Sequence, residues 1–268
     1  MVLPVHDVNP LRRTPWVTWL LIAINVVVFL TEPVVTFSLS GNSSSATAVC
    51  RQEAYFDRYA AIPSEVAHDR PLPQVANGTV VRVPVAQPDG TTGVGLGCAA
   101  APPTYSKNVA LSVLQSMFLH GGWTHLLGNM LFLLIFGNNV EDRLGRLRYL
   151  LLYLGVGAAA TVGYAFANAG SSTVTIGASG AIAGVLGAYL WLFPRARVWG
   201  LLTFFFFVPV KLPAWLVLGS WFVLQYLYAR GAGVANGAGV AYLAHVIGFI
   251  VGFLLVLPVQ RQPVPRRG

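Results

Sequence analysis

Long apolar stretches alternate with short, arginine-bearing polar turns along most of the chain. Segments near Trp16–Val35, Trp123–Val140, Tyr149–Ala169, Gly177–Phe193, Pro213–Ala229 and Ala241–Val259 each have the length, about 20 residues with a range of about 17–25, that crosses ~30 Å of hydrocarbon as a helix. A further run, Val198–Val210, is too short to span and closes on Pro209, Lys211 and Pro213, which predicts an interfacial or re-entrant piece. The polar interval from about 36 to 122 is rich in Pro, Gly, Ser and Thr. Inside it "TVVRVPV" (79–85) alternates with the period of a strand, and Asp89-Gly90 supplies a turn, so a small β-hairpin is expected there.

Composition agrees with the pattern. Of 268 residues, 55% are hydrophobic and only 10% charged, too apolar for an ordinary soluble domain. The expected fold is an all-α polytopic membrane protein, a bundle of six transmembrane helices with a long extracytoplasmic first loop. Lys and Arg placement orients it. With the N-terminus inside, the cytoplasmic segments hold Arg12, Arg13, Arg143, Arg146, Arg148, Arg195, Arg197, Lys211, Arg261, Arg266 and Arg267. Arg51, Arg58, Arg70, Arg82, Lys107 and Arg230 remain outside, mostly in the long loop. The net charge of +8 therefore reports topology, and no nucleic-acid partner is needed to explain it; the lipid bilayer is the partner implied. The division is a cytoplasmic N-terminus (1–14), a first transmembrane helix (15–35), an extracytoplasmic insertion (36–114), a core carrying helices two to six (115–259) and a cytoplasmic tail (260–268). Arg12 and Arg13 before an apolar segment also resemble a signal peptide, with "SATA" before Val49 as a cleavage site; that site lies beyond the apolar core, and the segment is read as a retained span. Cys50 and Cys98 both fall in the insertion and are candidates for a disulfide, two free thiols being the alternative. The sequons "NSS" (42–44) and "NGT" (77–79) are too short to carry weight.

Polar residues inside spans carry the functional information, because hydrocarbon penalises them unless they are paired or used. Three groups stand out: His125 with Asn129 in the second span, Ser179 in the fourth, and His245 in the sixth. These spans all run from outside to inside and each group lies near its start, so at ~1.5 Å per residue the depths agree within ~10 Å. His125 and Asn129 share a helical face at i and i+4. Ser179 opens its helix, where unpaired N–H groups and the dipole favour negative charge, as an oxyanion requires. Gly180, Gly184 and Gly187 in span four and Gly248 and Gly252 in span six have the spacing that lets two backbones approach closely. If those faces meet, His245 comes beside Ser179, and a neutral imidazole can accept the hydroxyl proton. No Asp or Glu lies near the outer ends of these two spans, so a Ser–His dyad is the version the sequence supports.

Each feature has a plainer reading. A serine flanked by glycines serves helix packing, an intramembrane histidine can be a structural hydrogen-bonder or proton carrier, and His125 with Asn129 can tie helices together. His120, His125 and His245 do not have zinc-ligand spacing, so no metal site is expected.

Taken in order, "HGGWTHLLGNM" (120–130), "EDRLG" (141–145), "GASG" (177–180) and "AHVIGFIVG" (244–252) resemble the rhomboid intramembrane serine proteases. The resemblance covers about residues 14–35 and 115–258. It implies that Ser179 is the nucleophile and His245 the general base, with an oxyanion hole from His125, Asn129 and the Ser179 backbone N–H. Gly177 would shape the loop before the serine, His120 would brace the first loop, and Glu141 with Arg143 would form a structural pair at the inner end of span two. It also implies single-span membrane proteins as substrates, a multi-pass protein of the bacterial plasma membrane with both termini cytoplasmic, and an active site opening to the extracytoplasmic side. No cofactor is implied, since acyl transfer on a dyad uses side chains, backbone donors and water. The chain departs from the family in lacking a Trp-Arg pair in the first loop and in carrying Ala183 where some members stack a tyrosine on the histidine. Span five and "GAGVANGAG" (231–239) are the expected lateral entry. Two other readings remain: an inactive relative that binds transmembrane helices, and a small transporter relaying protons through His245. The sequence sets no oligomeric state.

Overall fold

The computed structural model of the protein describes residues 2–7, 9, 11–33, 45–86, 92–203, 207–231 and 240–260. After strand β1 (Val2–Asp7) comes helix α1 (Trp16–Thr31), whose first N–H groups have no intrahelical partner. Glu141, distant in sequence, supplies one. Its carboxylate accepts from the backbone N–H of Val17 (3.0 Å) and Thr18 (2.7 Å) and from the Thr18 hydroxyl (2.8 Å). Arg143 turns elsewhere and donates to the Gln260 carbonyl at 2.6 Å. Of the expected structural pair, Glu141 thus ties to the start of α1, whose dipole favours the carboxylate, and Arg143 to Gln260.

The insertion is a small domain. Helix α2 (Ala46–Tyr59), capped by the Ser45 hydroxyl, packs over the hairpin of β2 (Val75–Ala86) and β3 (Thr92–Ala101), with helix α3 (Pro63–His68) between them in sequence. The alternating stretch 79–85 lies within β2, while the Asp89-Gly90 turn and the first sequon lie outside the described residues. A disulfide joins Cys50 on α2 to Cys98 on β3. In the same domain Lys107 Nζ pairs with Glu65 Oε2 at 2.6 Å and donates to the Asp57 carbonyl at 2.7 Å. Burial pushes the Lys107 ammonium down from its ordinary range, against the upward pull of Glu65 and Asp57. With side chains only 4% and 1% exposed, removing one partner strands a buried charge. Lys107→Met is expected to destabilise this domain by about 3–5 kcal/mol, and adding Glu65→Leu should recover most of it, as read from thermal unfolding of the two variants.

The segment expected as the second span follows a sharp bend. Helix α4 (Val109–Gln115) and a 3-10 turn (Ser116–Phe118) meet the rod 123–144 at 82°. That rod consists of α5 (Trp123–Phe132), a π turn (Leu133–Gly137) and α6 (Asn138–Leu144). Helix α7 (Arg146–Ala167) follows, then α8 (Ser179–Leu192), strands β4 (Arg197–Thr203) and β5 (Phe207–Pro213), and helices α9 (Ala214–Ala229) and α10 (Tyr242–Leu255). Among the described residues α7, with 22, is the one single helix long and apolar enough to cross a membrane; the bent pair passes only when taken together. Helices α1, α8, α9 and α10 are apolar but have 14 to 16 residues. The sequence expects longer rods because hydropathy also counts non-helical residues at their ends. Residues 177–178, for example, precede the helix that begins at Ser179.

The run Val198–Val210, too short to span, takes an extended form over its described residues. It contributes β4 and part of β5, which join β1 in an antiparallel sheet of order β1-β4-β5. Pro4 and Pro209 both sit on edge strands, where a missing N–H breaks no ladder. Asp7 anchors this sheet to the core, its carboxylate accepting from Asn139 Nδ2 and the Tyr189 hydroxyl, both at 2.7 Å.

Apolar side chains face outward: Leu30, Leu127, Leu151, Phe166 and Leu254 are all more than half exposed. Thr18, Asn25, Ser112 and Asn129 are buried. That arrangement suits a hydrocarbon solvent, in which polar groups find partners inside the bundle.

Candidate active site

Close backbone approach of α8 and α10 builds the site. A Cβ on Gly248 would collide with the Gly180 carbonyl oxygen, and one on Gly252 with that of Gly184. Gly187 lies equally close to the Phe249 carbonyl. Only hydrogen at these positions lets the two helices touch along their length. The contact brings the first residue of α8 against the first turn of α10. Ser179 Oγ lies 2.8 Å from His245 Nε2, across 66 residues of sequence.

The far side of the imidazole belongs to α9. His245 Nδ1 is 2.7 Å from Gln225 Oε1, and the Trp221 indole, one turn earlier, lies nearly parallel to the ring at 6.0 Å between centroids. Tyr242 meets it edge-on at 6.3 Å. Trp221 thus occupies the stacking role left open by the small Ala183. Sequence reasoning missed both Gln225 and Trp221. A search for carboxylates passes over an amide, although Gln225 is a polar residue in a largely apolar helix and the intramembrane-polar criterion applies to it equally.

A second cluster surrounds the turn before Ser179. Gly177 has φ of 115°, in the region that favours glycine, and its N–H donates to the Ser116 carbonyl at 2.8 Å. A Cβ there would lie 2.7 Å from His125 Nε2 and 3.7 Å from Asn129 Nδ2. The Gly121 N–H approaches His125 Nδ1 at 3.4 Å. A ring that accepts at Nδ1 carries its proton on Nε2, the atom facing the turn. Asn129 is buried and its Nδ2 has no hydrogen-bond partner. No side chain caps α8 at Ala178, so its first N–H groups are also unspent. Three kinds of donor thus converge beside Ser179.

His120 joins this cluster through His125. Its backbone N–H donates to the Glu32 carboxylate (3.2 and 3.3 Å), Nδ1 is 3.3 Å from the Phe118 carbonyl, and its ring meets His125 edge-on at 5.1 Å. The insertion braces the approach to the site as well. Thr175 N–H donates to Ala61 O (2.7 Å), Ser64 N–H donates to Ser171 O (3.0 Å), and Val174 and Ile176 pack on Phe56 and Leu119. Residues 232–239, which hold most of the glycine-rich stretch expected at the entry, lie outside the described residues.

Comparison with known proteins matches the chain, over residues 107–262, to the family described as Rhomboid domain. RHOMBOID-like protein 6, mitochondrial, of Arabidopsis thaliana is 29% identical over 67% of this chain and 53% of its own length. YdcA of Bacillus subtilis (strain 168) is 35% identical over 39% of this chain and 48% of its own. Rhomboid-like protease 5 of Toxoplasma gondii is 32% identical over 69% of this chain and 20% of its own. The chain thus spans about half the length of the first two. Those relatives come from a mitochondrion-assigned plant protein, a bacterium and a parasite, so similarity does not select one compartment. With the match covering more than half of its residues, the chain belongs to the rhomboid family, integral membrane proteins of all-α polytopic fold.

Proposed function

We propose that this chain is an intramembrane serine endopeptidase that cuts single-span membrane proteins. The observation that carries the reading is the 2.8 Å contact between Ser179 Oγ and His245 Nε2, beside a turn lined with unspent donors. His245 Nε2 takes the Ser179 proton as Oγ attacks the scissile carbonyl carbon. The oxyanion is received by the Ser179 N–H, His125 Nε2–H and Asn129 Nδ2. The imidazolium then protonates the leaving amine as the C–N bond breaks, which leaves an acyl-serine. Water, deprotonated by His245, hydrolyses the ester and restores the hydroxyl.

A helix keeps its carbonyls hydrogen-bonded, so a transmembrane substrate must unwind locally, and segments with small or helix-breaking residues are favoured. In the orientation set by the arginines, six membrane crossings place both chain ends in the cytoplasm and open the site to the extracytoplasmic side. Entry is lateral, beside α9.

Labelling of the purified protein in mild detergent with a fluorophosphonate probe tests the chemistry. The expected result is one covalent adduct, located on the peptide containing Ser179 by mass spectrometry. Folded protein that takes up neither this probe nor a smaller one would overturn the hydrolase reading and favour an inactive helix-binding relative.

A further inference from the structure

The proposed hydrolysis needs one tautomer of His245. Nε2 must present its lone pair to Ser179, which requires the ring proton on Nδ1. In soluble serine hydrolases a buried carboxylate enforces this choice. None reaches His245 among the described residues; the atom at Nδ1 is the amide oxygen of Gln225, at 2.7 Å.

Resting on the endopeptidase reading, we propose that Gln225 is a positioning residue of this site, its amide oxygen accepting the Nδ1–H of His245 and locking the imidazole in the tautomer that can deprotonate Ser179. Three observations support it. Gln225 is 8% exposed, so water does not compete freely for the acceptor. It reaches the ring from α9, a different helix from those that carry Ser179 and His245, and Trp221 on the same helix lies against the ring face. An amide also suits the location. A carboxylate inside a membrane-spanning bundle bears the cost of a desolvated charge, whereas a glutamine supplies the same acceptor geometry with no net charge. Because both contacts come from α9, a substrate that displaces this helix releases the ring as well, so the position of α9 and the readiness of His245 are coupled.

The test uses the full chain in detergent micelles with 15N-labelled histidine. Nitrogen shifts report the tautomer, and His245 is assigned by comparison with His245→Ala. Wild type is expected to show the Nδ1–H form. Gln225→Met, close in shape but without a strong acceptor, should show a mixture of tautomers. Its turnover of a transmembrane peptide should fall about tenfold to hundredfold with KM little changed, since the tautomer becomes free rather than reversed; reversal in a soluble triad costs ~10⁴-fold. Gln225→Glu, which keeps an accepting oxygen, should restore the Nδ1–H form and most of the turnover. A purely packing role predicts instead that Met preserves both the tautomer and turnover, and that result would overturn the inference. The two ideas fail separately. Unlabelled wild type whose tautomer still depends on Gln225 removes the protease while keeping the positioning role, and normal labelling with an unchanged tautomer in Gln225→Met does the reverse.

Discussion

Alanine at Ser179 or at His245 is expected to lower the rate of peptide cleavage by ~10⁴–10⁶-fold, the range that loss of a nucleophile or base gives in soluble serine proteases. Ser179→Ala removes the oxygen placed 2.8 Å from His245 Nε2. His245→Ala leaves a hydroxyl with no group to take its proton. Their contact is one link between α8 and α10, but the close approach of the two helices is carried by glycines, so the unfolding temperature should stay close to that of wild type. The oxyanion donors survive in both variants, and residual catalysis above the uncatalysed rate is expected from them. The double variant should be no slower than the worse single one, because the two groups act as a unit. Cleavage of a fluorogenic transmembrane peptide in proteoliposomes gives the rates. Ser179→Ala cutting the same bond at an undiminished rate would remove this serine from the mechanism.

Valine at Gly252 is expected to damage the α8–α10 contact and the site together. The Cβ position is already filled by the backbone of Gly184, its carbonyl carbon and Cα both 2.5 Å away. A side chain in its path could rotate aside, but a helix backbone can yield only by moving the whole helix. The cost should therefore reach or exceed the upper end of the ~1–3 kcal/mol usual for overpacking. As α10 is pushed from α8, His245 withdraws from Ser179, so probe labelling should fall together with thermal stability. This pairing of losses separates Gly252→Val from Ser179→Ala, which removes activity alone. Gly252→Ala should give a smaller version of both effects. A stable, fully labelled valine variant would show that the two helices do not need this contact.

The legible and illegible parts of the site differ in kind. His125 and Asn129, four residues apart, lie on one face of α5 because 3.6 residues make a turn, and any α-helix there would present them together. The glycines of α8 and α10 were readable for a similar reason, since their spacing along each helix is local. Nothing local records that Glu141 would turn to the start of α1, more than 120 residues away, or that Arg143 would be left for Gln260. The same holds for Val198–Val210, where hydropathy registers apolar character but is blind to a partner strand at the N-terminus.

By itself, then, the sequence determined a membrane-embedded helical chain with polar residues grouped near the starts of certain spans, because hydropathy, helical period and motif spacing are properties of neighbouring residues. The tertiary structure decided where each helix begins and which surfaces meet. It set the serine at the first residue of α8, put Trp221 against the imidazole in place of a tyrosine at 183, and brought the Gln225 amide to Nδ1. Those outcomes depend on the rotation and depth of one helix against another. Close packing between whole faces sets both, and no single residue or spacing encodes them.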